Sequence, residues 1–186
     1  MVMLRHHLIL GGQRSGKSRF AERLGMAWLA QGGSRQVSVV ATALDGDDEM
    51  RARIERHRLD RPAGFATLEA SHDLAACICD HSQPDHLLIV DCLTLWVTNW
   101  LMPATPVSDT TAWVQARADL LSALADAAGP VALVSNEIGW GVIPMGNEVR
   151  QFVDELGRLN QDVAQRCDRI TLMAAGQPWT QQVQKW

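Results

Sequence analysis

Short apolar runs alternate with longer amphipathic segments along the chain. The runs are Leu8–Leu10, Val37–Ala41, Leu87–Val90, Val131–Val134 and Ile170–Met173. Each is rich in Val, Ile or Leu and is flanked by turn residues, which is typical of strands that are buried on both faces. The pattern therefore predicts a central sheet of largely parallel strands.

The segments between these runs have helical spacing. Residues 17–31 place apolar side chains at Phe20, Leu24 and Leu29, and residues 148–166 are amphipathic throughout. Residues 109–128 also predict a helix, and residues 47–59 predict a strongly charged one. Strands that alternate with helices indicate an α/β fold with helices flanking a mostly parallel sheet.

Composition narrows the class of protein. The chain has 186 residues, is 47% hydrophobic and carries a formal net charge of −4. We expect one domain over residues 1–186, and the acidic balance gives no sign of a nucleic-acid-binding face. The four cysteines show no metal or disulfide spacing. With neither a membrane-spanning run nor a signal-peptide pattern, we expect a cytoplasmic protein without stable membrane insertion.

The most informative stretch is LILGGQRSGKSRF, residues 8–20. Residues 11–18 fit the phosphate-loop pattern G-x-x-x-x-G-K-[ST] between a predicted strand and a predicted helix, as the motif requires. In such a loop the backbone N–H groups cradle phosphates, the lysine reaches the β- and γ-phosphates and the serine ligates Mg²⁺. The alternative is a glycine turn that binds nothing. The predicted nucleotide-binding residues are Gly11, Gly12, Gln13, Arg14, Ser15, Gly16, Lys17 and Ser18, with Lys17 also catalytic.

An acidic residue follows a second buried strand. In HLLIVDCLTLW four apolar residues precede Asp91. A carboxylate at the end of a strand next to a phosphate loop is the usual partner for nucleotide-bound magnesium. The alternative is an aspartate that caps the next segment. Ser18 and Asp91 are therefore the predicted Mg²⁺ ligands.

One histidine stands among arginines in the charged segment DDEMRARIERHRLDRP, residues 47–62. Arg53, Arg56, Arg58 and Arg61 surround His57, and guanidinium groups suit phosphate oxygens. A neutral imidazole beside a triphosphate is a good nucleophile and could attack the α-phosphorus. The alternative is a solvated surface helix.

Six stretches taken together show a resemblance that covers nearly the whole chain. They are GGQRSGKSRFAE, VVATA, DDEMRARIERHRLDRP, DCLTLWVTNWL, SNEIGWGVIP and GRLNQDVAQRCDRITLMAAGQP. In this order and spacing they resemble the bifunctional adenosylcobinamide kinase / adenosylcobinamide-phosphate guanylyltransferase family of cobalamin biosynthesis. The resemblance implies a RecA-like P-loop fold and a homotrimer.

The resemblance also implies two reactions. The first phosphorylates the aminopropanol hydroxyl of adenosylcobinamide with ATP or GTP. The second transfers GMP from GTP to adenosylcobinamide phosphate through a guanylylated histidine, giving adenosylcobinamide-GDP and pyrophosphate. Mg²⁺ would accompany the nucleotides. A competing hypothesis is a RecA-like nucleotide switch that forms no covalent adduct, and another is a transferase that has lost the kinase activity.

The resemblance assigns site residues position by position. His57 matches the guanylylated histidine, and the phosphate loop matches in full. The sequence departs from the family after Pro178. The other implied nucleotide-site residues are Val40, Ala41, Thr42, Arg58, Leu59, Asp60, Arg61, Glu69 and Asp91.

Two further stretches contain residues that could recognise the substrates. The carboxylate of Glu69 could accept hydrogen bonds from guanine N1–H and N2–H₂, a donor pair that adenine lacks; the alternative is an ordinary exposed glutamate. The loop SNEIGWGVIP, with Trp140 between two glycines, could offer an apolar platform to a corrin; the alternative is a packing loop.

Overall fold

The computed structural model describes residues 5–44, 62–103 and 111–184. The predicted charged helix at residues 47–59 lies outside this part of the chain, as does most of the proline-containing segment before residue 111.

A seven-stranded sheet forms the centre of the molecule. The strands are β1 His6–Gly11, β2 Gln36–Ala41, β3 Phe65–Glu69, β4 His86–Asp91, β5 Val131–Val134, β6 Arg169–Ala174 and β7 Gln177–Gln182. Their order in the sheet is β3-β2-β4-β5-β1-β6-β7. All neighbouring pairs are parallel except β6 and β7, which are antiparallel. The α/β prediction with a mostly parallel sheet is therefore confirmed.

Five described helices flank the sheet. The helices are α1 Lys17–Leu29, α2 Leu74–His81, α3 Leu93–Leu101, α4 Thr111–Asp126 and α5 Asn147–Arg166. Helices α1, α4 and α5 agree with the predicted segments within a few residues, whereas α2 and α3 were not predicted. None of them is both long and apolar enough to cross a membrane.

The core consists of two layers, one on each face of the sheet. Successive residues of the central strands alternate between them, so that Leu8 packs in one layer and Ile9 in the other. Helices α2 to α5 bury their apolar faces in the first layer, and α1 covers the second with Ala21, Leu24 and Trp28. Because both faces are covered, the inner strands are continuously apolar, which explains the pattern in the sequence.

The strand register brings the carboxyl ends of the parallel strands together. Glu69 of β3 pairs with Ala41 of β2, Ala41 pairs with Asp91 of β4, and Asp91 pairs with Val134 of β5. Strand β5 also separates β4 from β1, which ends in the phosphate loop at Gly11. The last residues of these strands therefore border a single edge of the sheet, where open α/β sheets bind ligands.

Candidate active site

The loop between β1 and α1 has the backbone that its glycines allow. Gly16, at the start of α1, has φ 100°, in the left-handed region. Gly11 has φ 152°, and a Cβ there would lie 2.4 Å from the carbonyl oxygen of Met173 in β6. The close approach of β6 thus requires glycine at position 11.

Lys17 is folded back onto the loop. Its Nζ donates hydrogen bonds to the carbonyl oxygens of Gly11 at 3.0 Å and Gly12 at 2.6 Å. Burial lowers the pKa of Lys17, while the nearby Cys92 and Asp91 act to raise it. The ammonium group is therefore held by neutral acceptors that a phosphate could replace with a stronger, charged one.

A cavity of about 1030 Å³ opens beside this loop. Its wall brings together most of the predicted phosphate-loop residues and the predicted acid of β4, Asp91. The predicted residues in the wall are Gln13, Arg14, Ser15, Gly16, Lys17, Ser18 and Asp91. The volume suits a nucleotide-sized ligand.

Two arginines in the cavity wall escaped sequence analysis. Arg19 and Arg23 lie one helical turn apart in α1 and both line the cavity. Their i, i+4 spacing directly after the phosphate loop was the available signal. They add positive charge to a site that already has the amino end of a helix.

Asp91 is held in place by a buried threonine of the neighbouring segment. The Thr42 hydroxyl donates to the Cys92 carbonyl oxygen at 2.7 Å and accepts from the Cys92 backbone N–H at 2.9 Å. Thr42 and Val40 are fully buried. Neither side chain lines the cavity, so Thr42 positions the turn that carries Asp91.

The end of β5 enters the cavity between the phosphate loop and Asp91. Asn136 lines the wall, and its backbone N–H donates to the Thr94 hydroxyl at 2.9 Å. The Asn160 amide of α5 donates to the Asn136 carbonyl oxygen at 3.1 Å. Sequence analysis missed Thr94, which lies three residues after Asp91 and has no motif of its own.

Glu137 lies next to Asn136 but turns towards α5. Asn160 donates to its carboxylate at 3.4 Å, a long contact, and burial raises the pKa of Glu137. Its backbone N–H donates to the Gly11 carbonyl oxygen at 3.3 Å, the same oxygen that Lys17 contacts. The end of β5 is thereby tied to the start of the phosphate loop.

Glu69 and Ala41 occupy the other end of the same edge. Glu69 lies two strands from Asp91, about 10 Å away at ordinary strand spacing, and it is exposed. Neither Glu69 nor Ala41 lines the cavity. The predicted residues His57, Arg58, Leu59, Asp60 and Arg61 lie outside the described residues.

The residues at the cavity fit a nucleotide-bound magnesium ion. In the described part of the chain, no three His, Cys, Asp or Glu side chains are grouped to hold a metal. Ser18 and Asp91 both line the cavity, and each has a side-chain oxygen that could ligate the ion. Mg²⁺ commonly takes one or two protein oxygens and completes its shell with phosphates and water, so this pair suffices.

Comparison with known proteins agrees with this geometry. A solved ATPase domain matches with a TM-score of 0.52 and 16% identity, over 91% of this chain and 69% of that one. This likeness supports the RecA-like P-loop fold.

Curated relatives match over almost their full length. The bifunctional adenosylcobalamin biosynthesis protein CobP of Pseudomonas aeruginosa is 47% identical over 92% of this chain and 94% of its own. The protein CobU of Salmonella typhimurium, of the same description, is 36% identical over 91% of this chain and 95% of its own. The family model for cobinamide kinase / cobinamide phosphate guanyltransferase matches residues 7–181. The chain therefore belongs to the cobinamide kinase / cobinamide phosphate guanyltransferase family.

Proposed function

We propose that the protein is a bifunctional enzyme of adenosylcobalamin biosynthesis. It phosphorylates adenosylcobinamide and then transfers GMP from GTP to adenosylcobinamide phosphate, giving adenosylcobinamide-GDP and pyrophosphate. The observation that carries the proposal is the phosphate loop with Lys17 and Asp91 at one cavity, in a chain whose family match spans residues 7–181.

In the kinase step the triphosphate of ATP or GTP lies in the phosphate loop. The aminopropanol hydroxyl attacks the γ-phosphorus, the bond to the bridging oxygen breaks, and the nucleoside diphosphate leaves. The hydroxyl proton passes to solvent. Lys17 leaves the carbonyl oxygens of Gly11 and Gly12 to stabilise the charge that develops on the phosphoryl oxygens. Arg19 and Arg23 add positive charge at the same wall.

In the transferase step His57 attacks the α-phosphorus of GTP and pyrophosphate leaves. The phosphate of the corrinoid then attacks the same phosphorus, the phosphorus–nitrogen bond breaks, and the imidazole is restored. The arginines that flank His57 in the sequence stabilise the charge on the α-phosphate oxygens. Family resemblance supports Arg58, Leu59, Asp60 and Arg61 as further nucleotide contacts.

Ser18 and Asp91 hold the Mg²⁺ of the bound nucleotide in this proposal. The ion supplies charge neutralisation on the triphosphate. The buried Thr42 supports this role because its hydroxyl fixes both backbone groups of Cys92, the residue after Asp91.

Glu69 recognises guanine in this proposal. Glu69 pairs with Ala41 of the neighbouring strand, which is a nucleotide-site position by resemblance. Glu69 is also exposed at the carboxyl end of its strand. Glu69→Gln should therefore reduce the preference of the transferase for GTP over ATP. An unchanged preference would refute the assignment.

The family resemblance further supports a cytoplasmic homotrimer. Sedimentation velocity of the purified protein measures the oligomeric state directly, because a trimer of a 20.5 kDa chain is well separated from a monomer. A monomer at micromolar concentration that still turns over substrate would contradict the trimer alone.

The decisive experiment for the two activities uses GTP labelled at the α- or the γ-phosphate. With Mg²⁺ present, we expect acid-labile, base-stable label on the protein from the α-position only, on the peptide that contains His57. His57→Ala should abolish this label and guanylyl transfer while it spares kinase activity, because only the transferase step needs the imidazole.

The same experiment separates the alternatives. Equal loss of both activities in His57→Ala, with GTP binding intact, would contradict the division of labour. Bound nucleotide without label from either position would remove the covalent mechanism and favour a kinase alone or a nucleotide switch. His72→Ala, which changes a histidine outside the cavity wall, is the matched control.

A further inference from the structure

The segment between β5 and α5 exposes a cluster of large apolar side chains. Val142 is 95% exposed, Ile143 is 77% exposed and Met145 is 94% exposed. Trp140 is also exposed. Isolated exposed apolar residues are common on protein surfaces, but several within one short loop indicate a binding surface.

This loop is anchored at both ends. At its start, the Glu137 backbone N–H donates to the Gly11 carbonyl oxygen at 3.3 Å. At its end, the Arg150 guanidinium donates to the Pro144 carbonyl oxygen at 2.9 Å and also contacts Met145 and Asn147. The loop is therefore held at both ends, and its apolar side chains are exposed on the surface of the single chain.

A groove of about 610 Å³ lies between the loop and α5. Ile138, Val142 and Ile143 line it from the loop, and Val153 and Gly157 line it from the helix. The groove has the size and the apolar lining that are typical of small-molecule sites.

The floor of the groove contains a glycine that packing does not require. Gly157 lies inside α5, where glycine is unfavourable compared with alanine. A Cβ at this position would meet no atom of the described residues within 4 Å, so none of the described segments requires a glycine here. An empty position here keeps the groove floor flat, which suits a broad planar ligand.

The groove and the phosphate cavity are lined by neighbouring positions of the same loop. Asn136 lines the cavity and Ile138 lines the groove. Two residues of chain span at most about 7 Å. A ligand whose apolar body lies in the groove can therefore reach the phosphate loop with a flexible arm.

From these observations we propose that the groove between residues 138–144 and α5 binds the corrin macrocycle of the kinase substrate, with the aminopropanol arm passing Asn136 to the phosphate loop. The inference rests on the proposed function, because it places the substrate of that reaction. A corrin has broad apolar faces and carboxamide groups along its edge. Asp154, Arg158 and Gln161 line the same groove and offer acceptors and donors to those carboxamides.

The test fills the groove without weakening the fold. Gly157→Leu should raise the KM for adenosylcobinamide at least tenfold and leave the Kd for GTP unchanged. Gly157→Ala should raise the melting temperature, because alanine favours the helix, and should still raise this KM. Val142→Ser/Ile143→Ser, at two exposed positions, should also raise it. The matched control is Gln151→Leu, which adds the same side chain to an exposed position of α5 outside the groove.

Equilibrium dialysis with adenosylcobinamide supplies a direct readout of binding. Weaker binding in the Gly157 and Val142/Ile143 variants, with Gln151→Leu at the wild-type value, would support the site. Unchanged KM and binding in an active enzyme would overturn this inference and leave the proposed function standing. A changed sedimentation coefficient with unchanged KM would assign the loop to a subunit contact instead. A wild-type protein that neither binds nor phosphorylates the corrinoid would overturn both.

Discussion

Individual residues at this site divide into those that line the cavity and those that hold the lining in place. Asp91 is in the wall, whereas Thr42 lies beneath it and bonds to both backbone groups of Cys92. Burial raises the pKa of Cys92 to about 11, so its thiol is neutral near pH 7 and raises the pKa of Lys17 only where the thiol ionises. The resemblance predicts a nucleotide contact at Thr42, and its hydrogen bonds to Cys92 also give it a positioning role.

The two adjacent glycines of the phosphate loop differ in what surrounds them, which makes a matched pair of variants. A Cβ at Gly11 would lie 2.4 Å from the Met173 carbonyl oxygen, whereas a Cβ at Gly12 would meet no atom of residues 5–44, 62–103 or 111–184 within 4 Å. Gly11→Ala should destabilise the fold by about 1–3 kcal/mol, since the backbone of β6 must move. A loss of about 2 kcal/mol would lower Tm by roughly 4–8 °C in a domain of this size.

Thermal unfolding of both variants without nucleotide checks this prediction. Gly12→Ala should melt within a degree or two of the wild type. Equal Tm values for the two variants would mean that β6 does not approach the loop as closely as the structure indicates.

At the scale of elements, the sequence predicts the buried inner strands and misses the edge strands β3 and β7, which have no fully buried residue. Strands β1, β2, β4, β5 and β6 are apolar on both faces, so their runs are visible. The edge strand β7 was missed because all six of its residues are exposed. Its two-residue turn, with φ 50° at Ala175 and 76° at Gly176, lacks the Asn-Gly or Asp-Gly signal of most such hairpins.

The two helices were missed for other reasons. Helix α3, LTLWVTNWL, is apolar around most of its circumference and so lacks the polar stripe that marks an amphipathic helix. Helix α2 has eight residues, little more than two turns. The site was predictable where a local motif marked it, as at residues 11–18. It was not predictable where register and packing created it, as at Thr94.

Helices α4 and α5 are joined by a polar cluster that fixes the helix beneath the proposed corrin groove. Trp113 Nε1 donates to Glu155 at 2.8 Å, and Arg158 and Arg117 contact the same carboxylate. Burial raises the pKa of Glu155, but the hydrogen bonds and charges of these neighbours bring the pKa below its ordinary value. Glu155 thus stabilises the fold while it is ionised.

Trp113→Phe and Glu155→Gln test whether this cluster acts as one unit. Each should lower the free energy of unfolding by about 1–2 kcal/mol, because each weakens a largely buried hydrogen bond to a charged group. The double variant should lose less than the sum, with a coupling energy of at least about 0.5 kcal/mol in urea unfolding. Additive losses would show that the two side chains act independently. Arg158→Ala, at an exposed position, should cost about 0.5 kcal/mol or less.

Across the whole molecule, the carboxyl ends and the amino ends of the strands carry different kinds of side chain. The carboxyl ends of the strands hold the phosphate loop and Asp91, whereas the amino ends of β1 and β4 hold the buried histidines His6, His7 and His86. Burial lowers the pKa of all three. Protonation of these histidines at low pH should therefore destabilise the amino ends of the strands, which lie away from the phosphate site.

His7 provides the sharpest whole-molecule prediction, because burial lowers its pKa from 6.5 to about 4. Its Nε2 lies 2.7 Å from the Thr171 hydroxyl, which in turn lies 2.7 Å from Thr180, so the imidazole links β1 to β6 and β7. Below pH 6.5 the unfolded chain takes up a proton that the folded chain excludes until about pH 4. The contribution of His7 is therefore complete above pH 6.5 and is lost as the pH falls, by about 2 kcal/mol at pH 5.

Urea unfolding at pH 7 and pH 5 measures this loss. His7→Gln keeps a neutral polar group near Thr171 and has no proton to gain, so it should lower stability at pH 7 but lose about 2 kcal/mol less than the wild type between the two pH values. His72→Gln, between β3 and α2, removes one imidazole from a partly exposed position and is the matched control. If wild type and His7→Gln lost equal stability between pH 7 and pH 5, the acid sensitivity would have to originate elsewhere than at this buried imidazole.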